Sequence, residues 1–488
     1  MSELIRRAHE YLNVYLKNDN PCNRINRQLP YTKYTTFMYG YMPLPYYALH
    51  SVDIHTLFNK NRMVQKPVLI YLHIPFCAYK CSYCYYLSTA CHNKQVIGDY
   101  IDTLLQEIEL VGHHIDLGSL PIHSIHIGGG TPTCLDVSQL DYVFSVLKRK
   151  FAIDNNTVIH CESSPDTIIS EGKLQCLKRH GVRHLDIGIQ TFQDSTLALV
   201  NRRHTKEMAQ KAVMRAQEIG MEEINIDMLI NLPDQTPECW EEDLKTIVSL
   251  RPTSVTIYCN ALKTPHMLDL YYSKRCRFPS VQDVTIMNIM AYLSLREEGY
   301  RLKMTTYYSL RADGDEQKED IPDVLSFGPR TWSLFNDTEY YNTFDLNEYV
   351  QQINKKKLPI CVGAKISARR KLKQIIASRL QHVSHGVSKE LWDKYKSQSA
   401  DHFSTLEKIE RQQLVARDHD RIKLSLKGIF FADDVFKEFH KHHERESLFL
   451  NVVLNNVFLR KLYFYVRSKA WSYKAFIFLN KLLPKIKM

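Results

Sequence analysis

The sequence has no apolar run that would cross a membrane. Its longest uncharged stretch near the hydrophobic C-terminus, residues 448–459, has 12 residues, and a spanning helix needs about 20. No secretory-type segment opens it. Its 12 cysteines are scattered over 488 residues, too thinly for a disulfide scaffold, so a reducing cytoplasm is the expected location. With only 17 glycines collagen-like repeats are excluded. A composition of 44% hydrophobic and 24% charged residues is that of a globular protein and excludes wholesale disorder. The length, about three times a typical ~150-residue domain, allows one large domain with attachments.

Acidic residues are missing from one place. The net charge is 64 − 53 = +11. Arg460, Lys461, Arg467, Lys469, Lys474, Lys481, Lys485 and Lys487 supply +8 of it without one Asp or Glu between them. The rest of the chain is nearly neutral, so no nucleic-acid partner is expected. In the tail these cations alternate with Tyr463, Phe464, Tyr465, Trp471, Phe476 and Phe478. That pattern suits either peripheral contact with an anionic membrane surface or a terminal helical layer docked on the body.

Residues 1–65 are polar and tyrosine-rich and read as an irregular arm. From Val68 the texture changes to short β-branched runs alternating with longer helical patterns. Strands are expected at 68–74, 124–127, 157–161, 184–189, 224–230 and 254–258, and helices at 97–111, 137–151, 206–219 and 237–250. Repeated strand–helix units predict a parallel sheet, curling toward a barrel, with chemistry just beyond the strand ends.

The first strand runs into Cys77-Ala78-Tyr79-Lys80-Cys81-Ser82-Tyr83-Cys84, the spacing C-x3-C-x2-C. Thiolates suit iron–sulfur clusters and zinc. Three of them can hold three irons of a [4Fe–4S] cube and leave the fourth open. A zinc site would need a further ligand, for which Cys91 and His92 are available. The second strand ends in Gly128-Gly129-Gly130-Thr131, where a backbone can approach a ligand closely. The third ends in Glu162, a hydrogen-bond acceptor.

These motifs resemble the radical S-adenosylmethionine (SAM) superfamily. Tyr71-x-His73-Ile74-Pro75-Phe76-Cys77, the glycine run, Glu162-x-x-Pro165, Gly188-Ile189-Gln190-Thr191-Phe192, Asn201-Arg202-x-His204, and Ile226-Asp227-Met228 with Leu232-Pro233-x-Gln235-Thr236 follow in order. Together they resemble the branch holding oxygen-independent coproporphyrinogen III dehydrogenase, the HemW-like heme chaperones and the class C radical SAM methyltransferases. The resemblance implies an α/β fold: a partial (β/α)6 barrel with a smaller α-rich, winged-helix-like C-terminal cap and a basic aromatic tail. The corresponding units are 1–65 (arm), 66–345 (barrel and extension), 346–445 (cap) and 446–488 (tail). It implies a [4Fe–4S] cluster on Cys77, Cys81 and Cys84, with SAM on the open iron yielding a 5′-deoxyadenosyl radical. Tyr71, Tyr83, Gly128, Gly129, Gly130, Thr131 and Glu162 would hold that SAM. Gln190, Arg202, Asp227 and Ala261 match positions for a second one; the alternative is that Arg202 and Asp227 form an internal ion pair. A small-molecule substrate and a low-potential donor, flavodoxin or ferredoxin, are implied partners.

The chain also departs from the branch. Asn231 replaces a glycine, Asp186 a common serine, and Tyr85-Tyr86-Leu87 stands where the dehydrogenase has a further cysteine. The chaperone signature is missing near residue 305. Arg330 and Trp332 are bulky in a loop that is usually small, where they either reshape a pocket or form an ordinary surface loop. Residues 422–428 resemble the turn of a wing. Methyl or methylene transfer from a second SAM to an unactivated carbon is therefore the first expectation. Oxidative decarboxylation of a coproporphyrinogen propionate and heme carriage are the alternatives.

Overall fold

A computed structural model describes residues 1–16, 54–58, 66–170, 172–260, 264–312, 322–398, 403–432 and 435–436. Ala261, the tail and most of the arm lie outside these. Alternation of apolar and polar residues builds the centre of the molecule. In β1 (Val68–Ile74), β4 (Ile122–Gly129), β5 (Val158–Ser163), β6 (Val182–Gln190), β7 (Glu223–Ile230) and β8 (Ser254–Cys259), one side of each strand carries Ile, Leu or Val into a common core. The other side carries His126, His160, Glu162, His184, Asp186, Asn225 and Asp227. The six strands are parallel and lie side by side in chain order. A helix follows each, as expected for βαβ units. Two minor strands, β2 (Phe76–Cys77) and β3 (Thr89–Ala90), pair with each other at the end of β1.

Local signals set the helix ends. Asp136 and Gln139 form a capping box at Val137–Lys150. Thr205 and Thr236 cap Lys206–Ile219 and Pro237–Leu250. All ten expected elements are present, with ends shifted by up to three residues.

The sheet is wider than expected. β9 (Arg301–Met304) and β10 (Tyr307–Ser309) extend it beyond β8. On the other side β11 (Asp323–Phe327) pairs parallel with β1, followed by antiparallel β12 (Trp332–Phe335), β13 (Thr338–Asn342) and β14 (Ile360–Lys365), twelve strands in all. It therefore runs past residue 345. A second, smaller core begins at Leu372. It joins helices Ala368–Gln381, Lys389–Gln398 and Phe403–Arg411 to a three-stranded antiparallel sheet of β15 (Val387–Ser388), β17 (Arg421–Leu424) and β16 (Val415–Asp418).

The expected wing turn needs correction. The hairpin bends at His419 (φ +53°) and Asp420, so 422–428 holds β17 and the start of helix Leu426–Phe430. Ser425 is the reason: its Oγ accepts from the Gly428 N–H at 2.9 Å and caps that helix. No described helix is long and apolar enough to cross a membrane.

Candidate active site

The cysteine motif leaves the core at the carboxyl end of β1 and is tied down by its neighbours. Asn201 Nδ2 donates to the Lys80 carbonyl at 2.6 Å, the Ser82 N–H donates to Val200 O at 3.0 Å, and Thr264 Oγ1 donates to Ser82 O. Cys77, Cys81 and Cys84 are half-buried free thiols. Burial pushes the Cys77 and Cys84 thiols up, and neighbouring cysteines add to the rise. Soft, reduced, mutually neighbouring thiols suit a shared iron–sulfur centre. Cys91 turns its thiol to Asn93 O at 3.8 Å.

The glycine loop folds over this motif. Gly130 N–H donates to Ile74 O at 2.7 Å and Thr131 N–H to Phe76 O at 2.8 Å. A Cβ on Gly130 would stand 2.4 Å from Phe76 O and 3.0 Å from Cys77 Sγ, so only glycine allows the approach. Thr131 Oγ1 lies 3.5 Å from Cys77 Sγ. Glu162 accepts from Gly129 N–H at 3.0 Å and meets His126 Nε2 at 2.9 Å. A Cβ on Gly128 would strike Glu162 Oε1 at 2.5 Å.

Tyr71 sits lower on the same face, its hydroxyl 3.2 Å from His73 Nδ1 and its ring 5.6 Å from His126. Tyr83 is elsewhere, packed among Val200, Leu229, Leu232, Met267 and Leu270 on the β7–β8 side of the mouth. The structure thus groups Cys77, Gly128, Gly129, Gly130, Thr131 and Glu162, with Tyr71 linked through His126. Tyr83 joins the Cys81–Arg202 side.

Arg202 occupies that side. Its Nη2 donates to Gly188 O and, at 3.2 Å, to Ser164 Oγ; its Nη1 lies 3.6 Å from Cys81 Sγ. Its buried Nε has no hydrogen-bond partner among the described residues. Among the described residues Arg202 and Asp227 form no ion pair, which overturns the internal-pair alternative. Asp227 instead accepts from Asn225 Nδ2 at 3.0 Å. Burial, then the neighbouring Asp186 and Glu162 carboxylates, raise its carboxyl well above the usual range. Gln190 ends β6 with φ +76°, and its side chain crowds Gly188 together with Arg202. A guanidinium N–H and a carboxyl that do not use each other are a donor and an acceptor that a polar ligand could complete.

The departures have local causes. Asn231 takes φ +66°, a conformation asparagine tolerates after glycine. It also exchanges bonds with Asn260 (Nδ2 to O, 2.8 and 3.1 Å). Arg330 turns at φ +58°, two residues after Gly328, where a Cβ would stand 2.9 Å from the His73 side chain. Trp332 pairs across β12–β13 with Tyr341.

Sequence reasoning missed two supporting groups. His126 orients Glu162; only its two-residue spacing from Gly128 placed it on the inner face. Glu107, buried in helix Lys94–Gly112, accepts from Gly328 N–H (2.7 Å), Asn342 Nδ2 (2.7 Å) and Tyr349 OH (2.6 Å). It anchors the Arg330 loop from 221 residues away in sequence, and no local pattern marked it.

The family model of the radical SAM superfamily matches residues 71–247. The chain is 27% identical over 316 residues to the oxygen-independent coproporphyrinogen III oxidase of Salmonella typhimurium, covering 60% of this chain and 67% of that protein. It is 25% identical over 382 residues to the heme chaperone HemW of Bacillus subtilis, covering 76% and 98%. The solved coproporphyrinogen III oxidase (HemN) of Escherichia coli superposes with a TM-score of 0.68 at 23% identity, covering 77% of this chain and 90% of that one.

Proposed function

The chain belongs to the radical SAM superfamily, in its HemN-like branch, and from that premise we propose that it cleaves SAM reductively to abstract hydrogen from a small-molecule substrate. When bound, the [4Fe–4S] cluster and SAM supply the electron and the 5′-deoxyadenosyl radical. Everything else falls to the chain's own residues. Cys77, Cys81 and Cys84 would hold the cluster. Gly128, Gly129, Gly130 and Thr131 would offer backbone at close range, and Glu162, steered by His126, would accept from a SAM amine or hydroxyl. Gln190, Arg202 and Asp227 offer a second SAM a guanidinium and a carboxyl. Flavodoxin or ferredoxin is the donor class this chemistry calls for.

The observation that carries the reading is the glycine loop pressed against Cys77 at a distance only a missing side chain permits, with Glu162 aimed at the same loop.

For the substrate, we favour oxidative decarboxylation of a porphyrinogen propionate, since proteins named for that reaction are similar over most of the chain. Methyl transfer is the second reading, favoured by the separated Arg202 and Asp227 and by the tyrosines after Cys84. Anaerobic incubation of the reduced, cluster-loaded chain with SAM and coproporphyrinogen III tests both. Deoxyadenosine with carbon dioxide supports the first. Adenosylhomocysteine or methylthioadenosine beside deoxyadenosine, with a candidate acceptor present, supports the second. Heme binding without any SAM cleavage refutes the enzymatic proposal and returns the heme chaperone.

A further inference from the structure

Below the SAM loop, the inner face carries a cluster that the proposed reaction does not use. His160 on β5 and His184 on β6 are register partners, their rings 4.3 Å apart and 31° from parallel. His184 Nε2 stands 3.2 Å from Asp186 Oδ1, with both side chains only 13–14% exposed. One donor atom from each of His160, His184 and Asp186 lies within 4.8 Å of the others. His160 has ring contacts on both sides, to His126 and His184, and no hydrogen bond to any described residue. Asp186 is the residue that stands where serine is common in the branch.

We propose that His160, His184 and Asp186 form a mononuclear site for a borderline divalent ion, zinc or ferrous iron, distinct from the cysteine motif. Two imidazoles and a carboxylate are the donor set such ions take. Bonds of about 2.0–2.1 Å at tetrahedral angles put ligand atoms about 3.3 Å apart, the spacing already present between His184 and Asp186. Rotation of the His160 ring brings in the third ligand.

Outer partners are in place as well. The other ring nitrogen of His184, Nδ1, faces Glu223 Oε1 at 3.8 Å, and Asn225 Nδ2 donates to Asp186 at 2.9 Å, the kind of orienting contacts that metal ligands carry. Glu223 is itself held by Tyr307 and by Arg311 at 3.3 Å. Three protein ligands leave a coordination position open to the interior, on the face shared with Glu162 and Asp227. The one other such cluster among the described residues, Asp141, Cys176 and His180, differs. There the carboxylate already holds the Arg179 guanidinium at 2.5 Å.

The test uses the full chain with Cys77, Cys81 and Cys84 all replaced by Ala, titrated anaerobically with cobalt(II). One equivalent should bind, with d–d bands and no thiolate charge-transfer band. His160→Ala or Asp186→Ser added to that chain should weaken binding at least about 100-fold, while Cys176→Ser should leave it unchanged. In the cluster-loaded protein equilibrated with zinc(II), either His160→Ala or Asp186→Ser should remove one zinc per chain and keep the sulfide content and the cluster absorbance, which also reports that the variant folds. Uptake that survives both replacements, or that disappears with Cys176→Ser, overturns the proposal.

Discussion

Glu107 is a carboxylate held where water cannot reach it, 2% exposed, and its three hydrogen bonds fasten the Gly328–Arg330 turn to helix Lys94–Gly112. Burial outweighs those bonds and pushes its carboxyl from 4.5 to about 7. At about 1.4 kcal/mol per pH unit that difference is worth roughly 3 kcal/mol. Below 4.5 both folded and unfolded chains carry the proton, and Glu107 adds no pH dependence. Between 4.5 and about 7 the folded chain keeps a proton the unfolded chain has lost, so stability falls as pH rises, and the full penalty stands above about 7. Glu107→Gln keeps the shape and removes the titration. Urea unfolding of both proteins, followed anaerobically by near-UV circular dichroism from about pH 5 to about pH 8, isolates the one group, since all other titrations are shared. The wild type should lose up to roughly 3 kcal/mol relative to the variant over that range. Parallel pH profiles would refute the assignment of a buried, proton-retaining carboxyl.

Other perturbations test the site itself. Gly130→Ala places a methyl 2.4 Å from Phe76 O, so the loop or Cys77 must move; iron content should drop sharply while far-UV circular dichroism is retained. Glu162→Gln removes a charged acceptor worth about 1.5–3 kcal/mol, so SAM affinity measured by equilibrium dialysis should fall about 10- to 150-fold with the brown cluster absorbance intact. Loss of the cluster with unchanged SAM affinity would contradict that role. Arg202→Lys keeps the charge but loses the fork that reaches both Gly188 and Ser164; on the proposed second-SAM reading, the number of SAM molecules bound per chain should drop by one.

How much was legible follows from where the information sits. The parallel strands announce themselves because polar residues recur every second position, as in His184, Asp186 and Gly188 against Leu185 and Ile187. The helix Lys206–Ile219 is bounded by a threonine cap and by Gly220 in the left-handed conformation, so its ends are readable locally. β11 and β13 are buried on both faces throughout; with no alternation they carry no period, and the sheet's extension went unread. The cysteine motif was legible as spacing, and the glycine loop as its neighbour. Tyr83 turning toward Leu229 and Met267, and Glu107 reaching Gly328, are tertiary facts that no window of sequence contains.

Arg202 and Asp227 show what that hidden part decides. If the barrel were built for stability alone, a buried guanidinium and a buried carboxyl on neighbouring strands and loops would pair, because an unpaired buried charge is costly. The chain instead gives Arg202 a carbonyl, a hydroxyl and a thiol, and leaves its Nε unspent. It gives Asp227 an amide, and burial, then the neighbouring Asp186 and Glu162 carboxylates, raise its carboxyl well above the usual range. Each group is hydrogen-bonded without using the other. On the proposed second-SAM reading, separation of the two leaves a guanidinium N–H and a carboxyl for a ligand's polar groups, which an ion pair would have used up.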